Sequence, residues 1–124
     1  MKKTNTLRIF LIISGVFTFF WWPMSHWFYP DWYHKLLGFT SYDAALVKII
    51  GTIGIFPVLC TLFAARDIRR NQDMILILII FCVLMAATYV FLIITMNFPV
   101  LEIINVAILL ISALTLGILF PRSA

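Results

Sequence analysis

Residues 74–95, MILILIIFCVLMAATYVFLIIT, run for 22 positions without a charged side chain. At 1.5 Å per residue a helix of that length reaches about 33 Å, close to the hydrocarbon thickness of a bilayer. In lipid every backbone polar group must be satisfied within the segment, so the run reads as a membrane-spanning helix. Three further apolar runs flank it, at 7–22 (LRIFLIISGVFTFFWW), 44–65 (AALVKIIGTIGIFPVLCTLFAA) and 100–120 (VLEIINVAILLISALTLGILF). The first is the shortest, with Trp21 and Trp22 as its interfacial anchors. It ends in four aromatic residues where a signal peptidase needs small ones, which predicts an uncleaved helix.

The composition excludes most other classes. Hydrophobic residues make up 64% of the 124 and charged residues 11%, against about 45–50% and about 25% in an ordinary soluble domain. A chain this short leaves much of its surface exposed, so that excess cannot be hidden in a water-soluble fold. The net charge of +4 is spread along the chain and forms no nucleic-acid patch. Cys60 and Cys82 lie in apolar runs, with neither a secreted disulfide framework nor a zinc spacing. The expected fold is all-α: a polytopic four-transmembrane-helix bundle in one integral membrane domain spanning 1–124.

Orientation follows from Lys and Arg. Lys2, Lys3, Arg8, Arg66, Arg69, Arg70 and Arg122 fall at one end of the expected bundle, and Lys35 and Lys48 at the other. This seven-to-two division places both termini and the 66–73 loop in the cytoplasm, and 23–43 and 96–99 outside. At the boundaries, Thr40–Asp43 reads as a loose capping box, Asp73 as a cap for the third helix, and Pro99 as a first-turn residue of the fourth. Pro57 should kink the second helix, while Gly51 and Gly54 permit close helix contact.

The unusual stretch is 21–39, WWPMSHWFYPDWYHKLLGF, which holds every tryptophan and both histidines. Pro23 and Pro30 are expected to break it into short pieces. Two readings stand. One is an aromatic interfacial segment on the outer leaflet, as in many membrane proteins. The other is a lid over the outer mouth of the bundle that carries His26, Asp31 and His34 into a polar pocket, because anchoring alone requires no paired His and Asp.

The residues WWP…HWFYPDWYHKLLGF, followed by KIIGTIGIFP and FAARDIRRNQD, resemble the BphX-like family of small four-helix bacterial membrane proteins. The resemblance is good from Trp21 to about Asp73 and covers the whole chain in topology. It implies four membrane helices and a bacterial source, hence the inner membrane. It supplies no catalytic residues. The family's name comes from biphenyl-degradation gene clusters, which implies a link to aromatic-compound metabolism through gene neighbourhood.

Two ionisable residues lie within spans. Glu102 sits in the first turn of the fourth helix, where negative charge is favoured. Lys48 sits near the outer start of the second helix, where both the helix dipole and the charge bias disfavour it. It either snorkels to the headgroups or pairs with Glu102 at matched depth, the preferred reading. A lone charge deep in the bilayer would cost roughly 2.5–3.5 kcal/mol on insertion scales. Glu102 also begins a polar stripe with Asn105, Ser112 and Thr115 that should face the bundle interior. Interhelical hydrogen bonding is the plainer explanation of that stripe, and a ligand or proton path the sharper one.

Cys82, Met85, Tyr89 and Met96 share a face of the third helix and, with Cys60 and the histidines, bring soft metals to mind. Ordinary apolar packing explains them as well. No cofactor and no metal ligand is therefore assigned. No nucleophile elbow, phosphate loop or metal-hydrolase motif is present, which weighs against an enzyme. The expected function is to bind or help move a small hydrophobic molecule at an outer-leaflet pocket made by His26, Asp31, His34, Lys48, Glu102 and Asn105. The alternative is a structural or partner-binding subunit, and a haem or metal redox protein or a membrane enzyme is less expected. The expected partners are the bilayer, such a ligand, and another copy or a membrane protein.

Overall fold

The computed structural model describes residues 2–122, and every regular element among them is helical. In chain order these are α1 (Lys2–Phe19), a π-helical turn (Phe20–Met24), α2 (Ser25–Phe28), α3 (Pro30–Leu36), α4 (Ala44–Ile53), α5 (Ile55–Arg66), α6 (Gln72–Thr95), a 3-10 turn (Val100–Glu102) and α7 (Ile103–Leu119). They make four helices long and apolar enough to cross a membrane: Lys2–Phe28, Ala44–Arg66, Gln72–Thr95 and Val100–Leu119. Large apolar side chains such as Ile13, Ile77, Leu84, Phe91, Ile111 and Leu114 are exposed around the outside. So much apolar surface is tolerable only against lipid. The protein has the architecture of a multi-pass membrane protein.

The first span is longer than its apolar run. The helix does not stop at Trp22 but passes through Pro23 to Phe28. A proline ring collides with the carbonyl four residues back and offers no N–H. Here Pro23 lies inside the π-turn, whose hydrogen bonds reach five residues back instead of four, and this widening accommodates the ring. The break comes at Tyr29, held out of helical geometry at φ −139° and ψ 53°. The residue before a proline is disfavoured in the α region, so Pro30 stops one helix and starts the next at the same point. Of the two expected proline breaks, only the second exists.

α3 ends in a Schellman motif. Gly38 takes φ +87°, Phe39 N–H bonds the His34 carbonyl at 2.9 Å and Gly38 N–H bonds that of Lys35 at 3.1 Å. The second span then starts at Asp43, whose carboxylate accepts from the N–H groups of Ala45 and Leu46, both at 3.0 Å. The cap is thus Asp43 itself and not Thr40. That span is interrupted at Gly54. The proline responsible is Pro57, because its ring would meet the carbonyl of Ile53, the last residue of α4. The third span opens at Asn71 without a side-chain cap. Asp73 lies in its first turn, where its charge suits the helix dipole without capping.

Each span packs on its sequence neighbours, most extensively the first on the second and the third on the fourth. The fourth closes the ring on the first, and the second and fourth stand diagonally across the bundle. At the arginine-rich end a tight apolar plug is made by Leu7, Leu11, Ala64, Ile68, Ile75 and Leu116. At the opposite end α3 folds over the bundle. Phe39 meets Phe98 edge to face with ring centres 5.1 Å apart, which joins the segment after α3 to the 96–99 turn.

Candidate binding cavity beneath the aromatic segment

The segment after the first span packs down on the bundle. Tyr33 and His34, adjacent on α3, are both buried, while Trp32 and Phe28 are exposed. Tyr33 enters between the first and fourth spans and meets Trp21 edge to face at 5.2 Å and His26 at 4.9 Å. Of the two readings of 21–39, the lid holds only in part: His26 and His34 are buried, Asp31 is exposed and bonded to Tyr42, and the first part of the segment is the helical extension of the first span.

Asn105 organises the polar groups below α3. Its Oδ1 accepts from the Trp21 indole N–H at 2.7 Å. Its amide hydrogens go to Glu102 Oε2 at 2.6 Å and to the Tyr33 hydroxyl oxygen at 3.2 Å. An indole N–H only donates, which fixes the orientation of the amide. Three parts of the chain, at 21, 33 and 102–105, are tied by one side chain. Glu102 is only 3% exposed, and its partner is this neutral amide, with no cation bonded to it among the described residues.

His26 lies beside this network, 8% exposed. Its Nδ1 is 2.8 Å from the Trp22 carbonyl and 2.9 Å from Ser25 Oγ. A carbonyl only accepts, so in the neutral ring Nδ1 carries the hydrogen and Nε2 the lone pair. His34 is set the same way by the Pro30 carbonyl at 2.7 Å. The His34 ring stands edge-on to His26 at 5.6 Å and stacks on Tyr42 at 4.3 Å. Glycine makes room for His26: a Cβ on Gly51 would lie 2.7 Å from the His26 Cβ, and one on Gly54 would lie 2.7 Å from the Trp22 ring. The close approach expected of these two glycines is therefore to the first span.

A cavity of about 120 Å³ opens between these groups. Trp21, Trp22, Phe81 and Tyr89 supply aromatic wall, and His26, Tyr33 and Asn105 supply polar atoms. A second space of about 90 Å³ continues toward the plug and shares Thr18, Trp22 and Phe81 as walls, with Ser14, Thr61 and Ser112 around it. Of the sequence-derived candidates, His26 and Asn105 line the first cavity, Glu102 bonds Asn105, and His34 packs against His26 from outside.

The other two do not join them. Asp31 accepts a hydrogen bond from the Tyr42 hydroxyl, which ties α3 to the start of the second span. That bond holds the Tyr42 hydroxyl above its ordinary pKa. The expected pair of Lys48 and Glu102 does not form. Lys48 Nζ donates to the Trp27 carbonyl at 3.1 Å and sits 4.7 Å from the centre of the Trp27 ring. The reason is topological: their two spans are diagonal, and the lengthened first span brings a helix C-terminus within reach of Lys48.

Sequence reading missed Tyr33 and Trp21 as polar partners of Asn105. The partners lie 72 and 84 positions away, and no local spacing encodes such contacts. The one local sign for Tyr33 was its place after Pro30, one turn before the buried Leu37. Burial pushes the Tyr33 hydroxyl well above its ordinary pKa, so it stays a neutral donor. Met96, grouped with Cys82 and Met85, is exposed. Among the described residues no three His, Cys, Asp or Glu side chains form a metal-holding cluster. No family model, curated protein or solved structure matches the chain.

Proposed function

We propose that the protein binds a small, largely apolar molecule of about one ring's size in the outer half of the bundle. The observation that carries this reading is the cavity of about 120 Å³ with aromatic walls and polar atoms converging from His26, Tyr33 and Asn105. An apolar protein cavity of about 150 Å³ holds benzene. A few well-placed polar groups in an apolar pocket are the usual form of a ligand site. The site lies under α3, which makes that helix the natural cover and the outer leaflet the natural source.

Trp21 and Trp22 form part of the wall, so tryptophan fluorescence in nanodiscs reports occupancy. Titration with toluene should give a saturable change. Leu109→Phe, which fills the cavity from the fourth span, should abolish it. A linear, unsaturable response identical in both proteins would reflect partitioning into lipid and refute the reading.

The same reading places the protein in a bacterial inner membrane with both termini in the cytoplasm, supported by the seven-to-two division of Lys and Arg. The BphX-like resemblance at 21–73 supports that setting. A second reading, as a partner-binding subunit, is favoured by one feature: a wholly apolar groove of about 410 Å³ between the first and second spans, lined by Gly15, Phe19, Ile55 and Leu59. Crosslinking from position 59 in native membranes would separate a protein neighbour from lipid.

A further inference from the structure

We propose that the cavity selects a neutral molecule carrying one hydroxyl group on a ring-sized apolar body. This rests on the reading of the cavity as a binding site and names the class of its ligand.

The argument is an inventory of unspent hydrogen-bonding capacity. Asn105 has spent both its hydrogens, on Glu102 and Tyr33, and one lone pair of its oxygen on the Trp21 indole. Tyr33 accepts from Asn105, but among the described residues its own hydroxyl hydrogen has no acceptor. His26 spends Nδ1 on the Trp22 carbonyl, and among the described residues Nε2 has no partner. Both side chains are more than nine-tenths buried and both line the cavity. The wall therefore presents a free donor, the Tyr33 O–H, beside a free acceptor, His26 Nε2. Tyr89, on the same wall, has a hydroxyl that can take either role.

A hydroxyl is the smallest uncharged group that meets both needs, accepting from Tyr33 and donating to His26. A carbonyl would leave the His26 lone pair unmet, and a pure hydrocarbon would leave both groups unmet. An unmet buried polar group is costly, and that cost is the source of discrimination. An anion is disfavoured because no Lys or Arg lines the cavity and Glu102 lies just behind Asn105. The remaining walls, Trp21, Trp22, Phe81 and Leu109 among them, suit a flat apolar body. The volume limits that body to about one six-membered ring.

The test compares toluene, phenol, cyclohexanol, benzoate and benzylamine by tryptophan fluorescence on the intact protein in nanodiscs, each corrected for its measured partitioning into empty nanodiscs. Phenol and cyclohexanol should bind about five- to tenfold more tightly than toluene, the worth of one or two net hydrogen bonds. Benzoate should bind more weakly than either alcohol. Tyr33→Phe and His26→Phe should each remove most of the alcohol preference. The readout in each variant is the ratio of alcohol to toluene affinity, and its melting temperature in nanodiscs shows that it is folded. Should His26→Phe fail to fold, Tyr33→Phe alone decides. Equal affinity for toluene and the alcohols overturns the hydroxyl class while leaving the cavity reading standing. Tightest binding of benzylamine overturns it in favour of a cationic ligand. Saturable binding of none of the five overturns both.

Discussion

Lys48 caps the first span through Trp27, donating to its carbonyl at 3.1 Å with the charge 4.7 Å from its ring centre. Trp27 returns the contact by donating its indole N–H to Thr52, one turn further along the second span, at 3.1 Å. At the far end of the same helix pair the arrangement is reciprocated: Arg8 Nε of the first span donates to the Ala65 carbonyl in the last turn of the second at 3.0 Å. Each helix of this antiparallel pair supplies a cation to the other's C-terminus, where the helix dipole favours positive charge. Lys48, which looks misplaced on its own helix, is well placed on its neighbour's.

Lys48→Met should therefore cost only about 0.5–1 kcal/mol, the scale of an exposed helix-terminal charge. Its effect should add to that of Glu102→Gln within about 0.5 kcal/mol, since the two share no partner. A double-mutant cycle on unfolding in detergent measures this. Coupling above about 1 kcal/mol would restore the ion pair that the structure replaces.

Asn105→Leu should be among the most damaging single changes, at about 2–4 kcal/mol. It leaves the Trp21 N–H and the buried Glu102 carboxyl without their partner. Adding Glu102→Leu should recover part of that loss, because the unpaired group goes with it. Unfolding of both variants in a common detergent decides the matter, and a double variant worse than the single would contradict it.

Gly51→Ala and Gly117→Ala form a matched pair. A methyl at 51 lands 2.7 Å from the His26 Cβ, whereas at 117 nothing lies within 4 Å. The first should cost about 1–3 kcal/mol as overpacking. The second should be neutral or gain up to about 1 kcal/mol of helix propensity. Melting temperatures of the two give the check.

Alkaline pH should loosen α3. The Tyr42 hydroxyl is held above its ordinary pKa by its hydrogen bond to Asp31, and Tyr33 well above by burial. Both favour the protonated phenol in the folded state. Their contribution is thus complete below the unfolded tyrosine value of about 10 and is lost as pH rises through the raised folded values. Hydrogen exchange of 30–39, measured against the third span as reference, should quicken only above about pH 10. Tyr42→Phe should quicken it at neutral pH already.

Topology is checked by labelling single cysteines on a Cys60/Cys82-free background. Position 41 should react with an impermeant reagent in intact cells and position 71 only after lysis, as the Lys and Arg division predicts. The reverse pattern would invert the protein.

What the sequence made legible follows from where the information sits. The spans at 44–66, 72–95 and 100–119 appear within a few residues of their apolar runs, since twenty apolar positions in a row leave few alternatives. Glu102 and Asn105 were identifiable because a polar residue inside a span needs a reason, and His26 because interfacial anchoring alone requires no paired His and Asp. Two errors came from context that no local pattern records. Pro23 reads as a helix breaker, and only the π-turn absorbs it. Lys48 and Glu102 share a depth, but depth says nothing of azimuth around a bundle, and their spans are diagonal. The contacts of Trp21 and Tyr33 to Asn105 belong to the same class of long-range information.

The π-turn at Phe20–Met24 also changes which kind of mutation the end of the bundle beneath α3 tolerates. Residues in such a turn advance around the axis by less than the 100° of an α-helical step. His26 therefore shares an azimuth with Thr18, and both border the cavity. Relaxing the turn to regular α geometry with every residue kept would rotate Ser25–Phe28 by about 80° relative to Thr18, carrying His26 off Gly51 and Trp27 away from Lys48. A substitution at exposed Phe20 leaves that phase intact. Removing one residue from 20–24 as the helix becomes regular leaves His26 within about 20° of Thr18, so this stretch tolerates a one-residue deletion better than a change that straightens the turn at full length.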